Sequence, residues 1–196
     1  MNDNLRLFFE SQFGPMPQKE WELLQDILEP LEVERGLDLH PIGRCCRHLW
    51  FLDQGAIKVY ETLDGQERTT HFFVGKSLFI DYHSVTSGDP SQFGFRAEEH
   101  CHIQQLPYDK LLLVFDRSHY LERLARLMAE RQFMLEFELR RQLLNLDAMQ
   151  RYEYLMDRHP HIFRRFALKD IASFLGITPV SLSRLRKIAI PNELNK

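Results

Sequence analysis

Cysteine is scarce in this chain, and several familiar signatures are missing. Three cysteines, Cys45, Cys46 and Cys101, in 196 residues are too few for a disulfide framework, so reduced thiols are expected. No apolar run approaches the ~20 residues of a membrane span, which predicts a soluble, cytoplasmic protein with no membrane partner. The opening residues, MNDNLRLFFESQFGP, carry acids and no long apolar stretch, so they do not read as a secretory signal. Nucleophile elbow, P-loop and dinucleotide fingerprint are all absent, as are internal repeats and low-complexity tracts. Nine histidines are present, but the β-region lacks the grouped His pattern of a metal-binding cupin. No enzyme is read from this chain.

What is there begins with charge. The net charge of -3 conceals an imbalance: residues 1–150 hold 16 Lys and Arg against 24 Asp and Glu, whereas residues 151–196 hold 9 against 4. A basic C-terminal segment on an acidic body suits contact with a polyanion through that segment, although a solvated basic face would look the same.

Local periodicity divides the chain in two. PQKEWELLQDILEP (17–30) repeats apolar residues at helical spacing, with Pro17 suited to a start and Pro30 to a stop. From Leu31 the pattern changes to short alternating or aromatic runs: LEVERG, HLWFLDQG, AIKVYETLDG, ERTTHFFVG, FGFRAEE and CHIQQLP. Strands at this spacing predict a sandwich or barrel, and the Asp-Gly of TLDGQE predicts a tight hairpin. After Pro107 the pattern is helical. YDKLLLVFDRS is short, and residues 119–146 form a long helix without Gly or Pro. Leu121, Leu124, Met128 and Leu135 make an apolar seam along it, continued by Leu139 and Leu143, which predicts contact with a second copy. The alternative is a linking helix packed on its own β-domain.

LKDIASFLGITPVSLSRLRK (168–187) reads as a helix-turn-helix. Ile171, Ala172, Leu175, Ile177, Leu182 and Leu185 are its apolar positions, and Gly176 supplies the turn. Thr178 suits the N-cap of the second helix and Pro179 its first position. Ser181, Ser183, Arg184 and Lys187 then face outward, a set suited to phosphates and base edges in a major groove. DNA-binding residues are therefore read as Thr178, Pro179, Ser181, Ser183, Arg184 and Lys187.

With the order N-terminal helix, β-roll, long helix and helix-turn-helix established, the chain resembles the Crp/Fnr superfamily of transcription regulators. HLWFLDQGAIKVY, FVGKSLF and FGFRAEEHCHIQQLPYDKL resemble its β-roll, and 168–187 its reading head. The resemblance implies an α+β chain: a jelly-roll-like β-roll sensor at 1–116, a dimerisation helix at 117–146, and a helix-turn-helix head at 147–196 whose wing is reduced or absent. It implies a homodimer reading two-fold symmetric duplex DNA under control of a small effector, with RNA polymerase as a further partner. A cupin-like small-molecule or metal enzyme, or a signalling adaptor with a degenerate head, are the alternatives.

Departures from the family bear on the effector. Where cyclic-AMP-binding members carry Gly-Glu, this chain has Gly75-Lys76; where they carry an Arg for the phosphate it has Ser91, followed by Gln92; where hydroxyls meet the base it has Glu136 and Phe137. Losing the Arg removes a charge-assisted contact of about 1.5–3 kcal/mol. Cyclic AMP is therefore not expected, and Gly75, Lys76, Ser77, Asp81, Tyr82, Ser91, Gln92 and Phe137 are read as a pocket for an effector not yet identified. Ser84, Thr86 and Ser87 in the same stretch either join that pocket or cap turns. Three cysteines cannot ligate an iron–sulfur cluster that needs four. His100 and His102 place two imidazoles on one face of a strand, a spacing too common to assign a metal. His159 and His161 read as a loop.

Overall fold

The computed structural model describes residues 3–193, with side chains over 4–142 and 144–188. Leu143 of the predicted seam lies outside the described side chains.

Two helices, α1 (Asp3–Phe13) and α2 (Gln18–Gln25), precede eight strands: β1 (Glu29–Val33), β2 (Asp38–His40), β3 (His48–Gln54), β4 (Ala56–Leu63), β5 (Gln66–Val74), β6 (Ser77–Phe79), β7 (Phe93–Ala97) and β8 (Cys101–Pro107). Between β6 and β7 lies α3 (Tyr82–Ser87). Five helices follow β8: α4 (Tyr108–Arg117), α5 (His119–Asn145), α6 (Ala148–Arg158), α7 (Ile162–Arg165) and α8 (Leu168–Phe174), and α9 (Pro179–Glu193) ends the described chain. This is the α+β architecture expected, with a β-roll ahead of a helical head.

The strands form two four-stranded antiparallel sheets, ordered β1-β8-β3-β6 and β2-β7-β4-β5. Their facing surfaces enclose Val33, Trp50, Leu52, Ile57, Val59, Phe79, Phe95, Ala97 and Ile103. Aromatic rings fill the interior: Phe79 stacks on Phe73 at 4.7 Å and on Trp50 and Phe95 at 5.7 Å. The β4–β5 hairpin turns on Asp64 (φ 53°) and Gly65 (φ 74°), the pair of positive φ angles that a two-residue type I′ turn needs. Gly55, between β3 and β4, has φ 111°, and a Cβ there would stand 2.5 Å from Cys101 Sγ, so no other residue fits that joint.

The outer face of the first sheet is covered by helices. Leu5 and Phe9 of α1, Trp21 and Leu24 of α2, Leu111 and Val114 of α4, and Leu121 and Leu124 of α5 bury against Phe51 and Leu106. Leu121 and Leu124 are 2% and 6% exposed, and Met128 packs on the same cluster. These three residues, read from sequence as a dimer seam, therefore serve their own chain's core. Pro30, expected to stop a helix, instead sits in edge strand β1; α2 has ended at Gln25. Edge position explains the tolerance, because proline has no N–H to give to a ladder.

Candidate nucleic-acid interface and sensor clefts

The head is assembled around α8 and α9. Of the six apolar positions read from sequence, Ile171, Ala172, Leu175 and Leu182 are fully or nearly fully buried, and Ile177 and Leu185 are half-buried against them. Gly176 adopts φ 67°, and the Ile177 N–H closes the turn on the Ala172 carbonyl at 2.9 Å. Thr178 Oγ1 accepts the Ser181 N–H at 3.1 Å, which satisfies one of the unpaired donors at the start of α9. Arg151 of α6 braces the unit by donating to the Leu175 carbonyl at 3.0 Å and to Leu146 at 2.8 Å.

Thr178, Pro179, Val180, Ser183, Arg184 and Lys187 are exposed, with Ser181 half-buried. Ser183 Oγ donates to the Pro179 carbonyl at 3.0 Å, so its hydroxyl is turned back on its own helix. What remains is one face of α9 with a small hydroxyl, an apolar Val180 and two cations, a suitable shape and charge for a groove lined by phosphates.

The head is clamped onto the outer face of the second sheet. Phe72 of β5 meets Phe166 at 4.3 Å and Phe174 at 5.3 Å. The Thr69 N–H donates to Ser173 Oγ at 3.0 Å. Lys58, 3% exposed, donates to Asp170 at 3.0 Å and lies 3.3 Å from Glu98 and 3.8 Å from Glu67. Arg165 grips Glu99 through two nitrogens, and that contact holds the Glu99 carboxyl below its ordinary range. Sequence reading missed Lys58 because an ammonium in an alternating strand reads as solvent-facing.

Residues of the expected effector pocket are mostly engaged with their own neighbours. The Gly75 N–H donates to the Gly55 carbonyl at 3.2 Å, Lys76 to Asn4 at 3.3 Å, and Ser77 to the Val74 carbonyl at 3.1 Å. Asp81 caps α3 by accepting the Ser84 N–H at 3.1 Å and accepts the Ser91 hydroxyl. Thr86 and Ser87 make local turn bonds as well. Tyr82, Gln92 and Phe137 are exposed, and Glu136 beside Phe137 is held by His71 of β5 at 2.9 Å. The structure thus joins Asp81 with Ser91 and leaves Gly75–Ser77 at a separate turn.

Two clefts lie elsewhere among the described residues. One, of about 320 Å³, is lined by His40, Arg44, Cys45, Arg47, His48 and Trp50 among others. Trp50 Nε1 and His40 Nε2 are buried without a hydrogen-bond partner among the described residues; the indole N–H is a donor in want of an acceptor. Burial lowers the pKa of both His40 and His48. The other, of about 240 Å³, is lined by Pro30, Leu31, Glu32, Asp53, His102, Ile103 and Gln104.

No family model matches the sequence, and no curated protein matches it either. Solved structures do. FixK2 from Bradyrhizobium japonicum superposes with a TM-score of 0.71 at 16% identity, covering 85% of this chain and 86% of that one. The c-di-GMP responsive global regulator CLP from Xanthomonas campestris gives 0.65 at 14% identity, covering 91% and 94%. A crp/fnr-family putative transcriptional regulator from Eubacterium rectale gives 0.66 at 17% identity, covering 90% and 85%. Across β-roll, long helix and helix-turn-helix alike, the chain has the fold of the Crp/Fnr regulators.

Proposed function

We propose that the protein is a DNA-binding transcription regulator without catalytic activity, working in the cytoplasm as a homodimer and steered by a small effector. The observation that carries this reading is the exposed face of α9, with Arg184 and Lys187 presented by a head whose apolar core is buried and which docks on the second sheet. In this reading residues 1–116 sense, 117–146 dimerise and 147–196 read DNA. RNA polymerase is a further partner of the bound dimer.

Dimerisation is assigned to the second half of α5. Phe133, Phe137 and Leu144 are exposed, and with Arg140 they follow the 4-3-4 spacing of a two-stranded seam. At about 3.6 residues per turn, this line lies about 155° around the helix from Leu121, Leu124 and Met128, nearly opposite them. Leu135, also exposed, continues the Leu121–Leu124–Met128 line instead and lies on the opposite side of the helix. The long helix would thus hold its own core with one face and a second copy with another.

The effector is proposed to occupy the cleft between His40 and Arg47 rather than the turn at Gly75–Gln92. Its unpaired donors and two guanidinium groups suit a small anionic molecule rich in acceptors. Cyclic AMP is not that molecule, since the positions that would hold it carry Lys76, Ser91, Glu136 and Phe137. Retention on random duplex, followed across salt, tests the DNA reading: affinity should fall steeply as salt rises. Lys187→Ala should shallow that slope, whereas a chain that ignores duplex at low salt would not be a DNA-binding protein.

A further inference from the structure

The run His100-Cys101-His102 finds no role in DNA reading or dimerisation. In the fold, β8 lies antiparallel to edge strand β1, with Glu32 directly opposite His102 and Val33 opposite Cys101. Alternate residues share a face, so two imidazoles from one strand meet carboxylates from the other. His102 Nδ1 stands 3.5 Å from Glu32 Oε1, and His100 Nε2 stands 3.7 Å from Glu32 Oε2. On its far side, His100 Nδ1 lies 3.3 Å from Glu34 Oε1. The two rings are edge to face, with centroids 4.9 Å apart.

These distances suit a shared ion better than direct bonds. Separations of 3.5 and 3.7 Å exceed hydrogen-bond length. Donor atoms held 2.0–2.1 Å from a tetrahedral ion stand about 3.3 Å apart. Glu32, His100 and His102 each offer one ligand atom, and the three atoms all lie within 4.8 Å of one another. A second observation points the same way. Glu32 and His102 line the smaller cleft together with Asp53 and Gln104. Three atoms there, His102 Nδ1, Asp53 Oδ1 and Gln104 Oε1, are buried with no hydrogen-bond partner among the described residues. Asp53 and Gln104 are only 8% and 5% exposed. The second Asp53 oxygen accepts from Asn4 at 3.1 Å, but Oδ1 and Gln104 Oε1 keep lone pairs without a donor beside an imidazole, which favours a cation.

We propose that Glu32, His100 through Nε2 and His102 through Nδ1 form a site for one divalent transition ion of borderline softness, zinc being the type. Two imidazoles and a carboxylate select such an ion over magnesium or calcium, which take oxygen ligands. Glu34, whose Oε1 lies 3.3 Å from His100 Nδ1, is the positioning residue: with an ion on Nε2 it would take up the Nδ1–H and fix the ring, as carboxylates behind metal-bound histidines do. The fourth position opens on the cleft, where water or a ligand group completes the tetrahedron. Bound metal ties edge strand β1 to β8, two residues along the chain from Glu98, which faces Lys58.

Zinc titration of the purified full chain against a chromophoric chelator tests the site, with cobalt(II) as a spectroscopic substitute. The wild type should bind one zinc per chain at micromolar affinity or tighter, and cobalt should give the intense visible bands of a four-coordinate site. Glu32→Gln and His102→Ala should each weaken zinc by tenfold or more and abolish those bands. Glu34→Gln should weaken it by about tenfold while keeping them. His159→Ala, in the other histidine pair, should change nothing. Circular dichroism checks that each variant folds; should His102→Ala unfold, Glu32→Gln decides alone. Zinc binding only at millimolar concentration, or equal binding by wild type and the His100→Ala/His102→Ala double variant, would overturn the site.

Discussion

Lys58 is the residue on which the head's position turns. Its ammonium is buried among Asp170, Glu98 and Glu67, and an interior charge is tolerable only when its partners are in place. Lys58→Met leaves Asp170 facing Glu98 with no counter-charge, and chemical denaturation should show a loss of about 3–5 kcal/mol. Adding Asp170→Leu should restore a good part of it, because the orphaned carboxylate is then gone. Two independent losses that simply add would mean that Lys58 and Asp170 do not act as a pair. His40 sets a second residue-scale expectation. Burial against Trp50 and Phe95 lowers its pKa, with the Asp81 carboxylate and the Arg44 backbone opposing and the His48 and Arg44 charges reinforcing. The unfolded chain then takes up the proton more readily than the folded one. Stability should therefore fall as pH drops through the ordinary histidine range near ~6.5. His40→Phe should flatten the fall of Tm between about pH 7.5 and 5.5 without erasing it, since burial lowers His48 and His159 too. An unchanged pH slope in that variant would remove His40 from the account.

At the scale of elements, α5 carries two duties on two faces. Leu124→Lys should unfold the protomer, because Leu124 is part of its own core. Phe137→Lys should leave the fold intact and release monomers, as read by sedimentation at micromolar concentration. Monomeric wild type under those conditions would remove the dimer from the account. The difference between these two positions was invisible in sequence, since periodicity marks a helix as apolar-faced without saying what covers each face. What was legible rests on short-range chemistry: Gly176 with Thr178 and Pro179 at the head's turn, Asp64-Gly65 at the hairpin, and the unbroken run from His119. Helix α1 escaped notice because the apolar Leu7 and Phe8 stand between its two buried anchors, Leu5 and Phe9, which blurs the helical period. Asp81 and Ser91 looked like pocket residues because a turn cap and a ligand contact use the same side chains. The Glu32–His102 pairing joins residues 70 positions apart in the chain, and no local pattern reports which strands become neighbours.

For the whole molecule, the fold puts an aromatic-filled β-roll against a docked head, so in the proposed reading a signal from the sensor would pass through β4, β5, the β7–β8 connection and the long helix. The contacts that would carry it are few: Phe72 with Phe166 and Phe174, Lys58 with Asp170, Arg165 with Glu99, and His71 with Glu136. Glu136 is held below its ordinary carboxylate pKa, chiefly by the His71 bond, so the latch contributes at neutral pH and is lost as pH falls through the carboxylate range. Within the dimer, two copies of α9 should present their Arg184 side chains to the same side. Arg184→Ala should cost about 1–3 kcal/mol on the preferred site and less on random duplex; equal loss on both would mean that Arg184 touches phosphate alone. The most direct measurement is selection of bound sequences from a random duplex pool by the purified wild-type chain. Selection should recover an inverted repeat whose half-site centres lie one helical turn apart, roughly 34–36 Å. Enrichment of a single unrepeated half-site, or of no sequence at all, would contradict it.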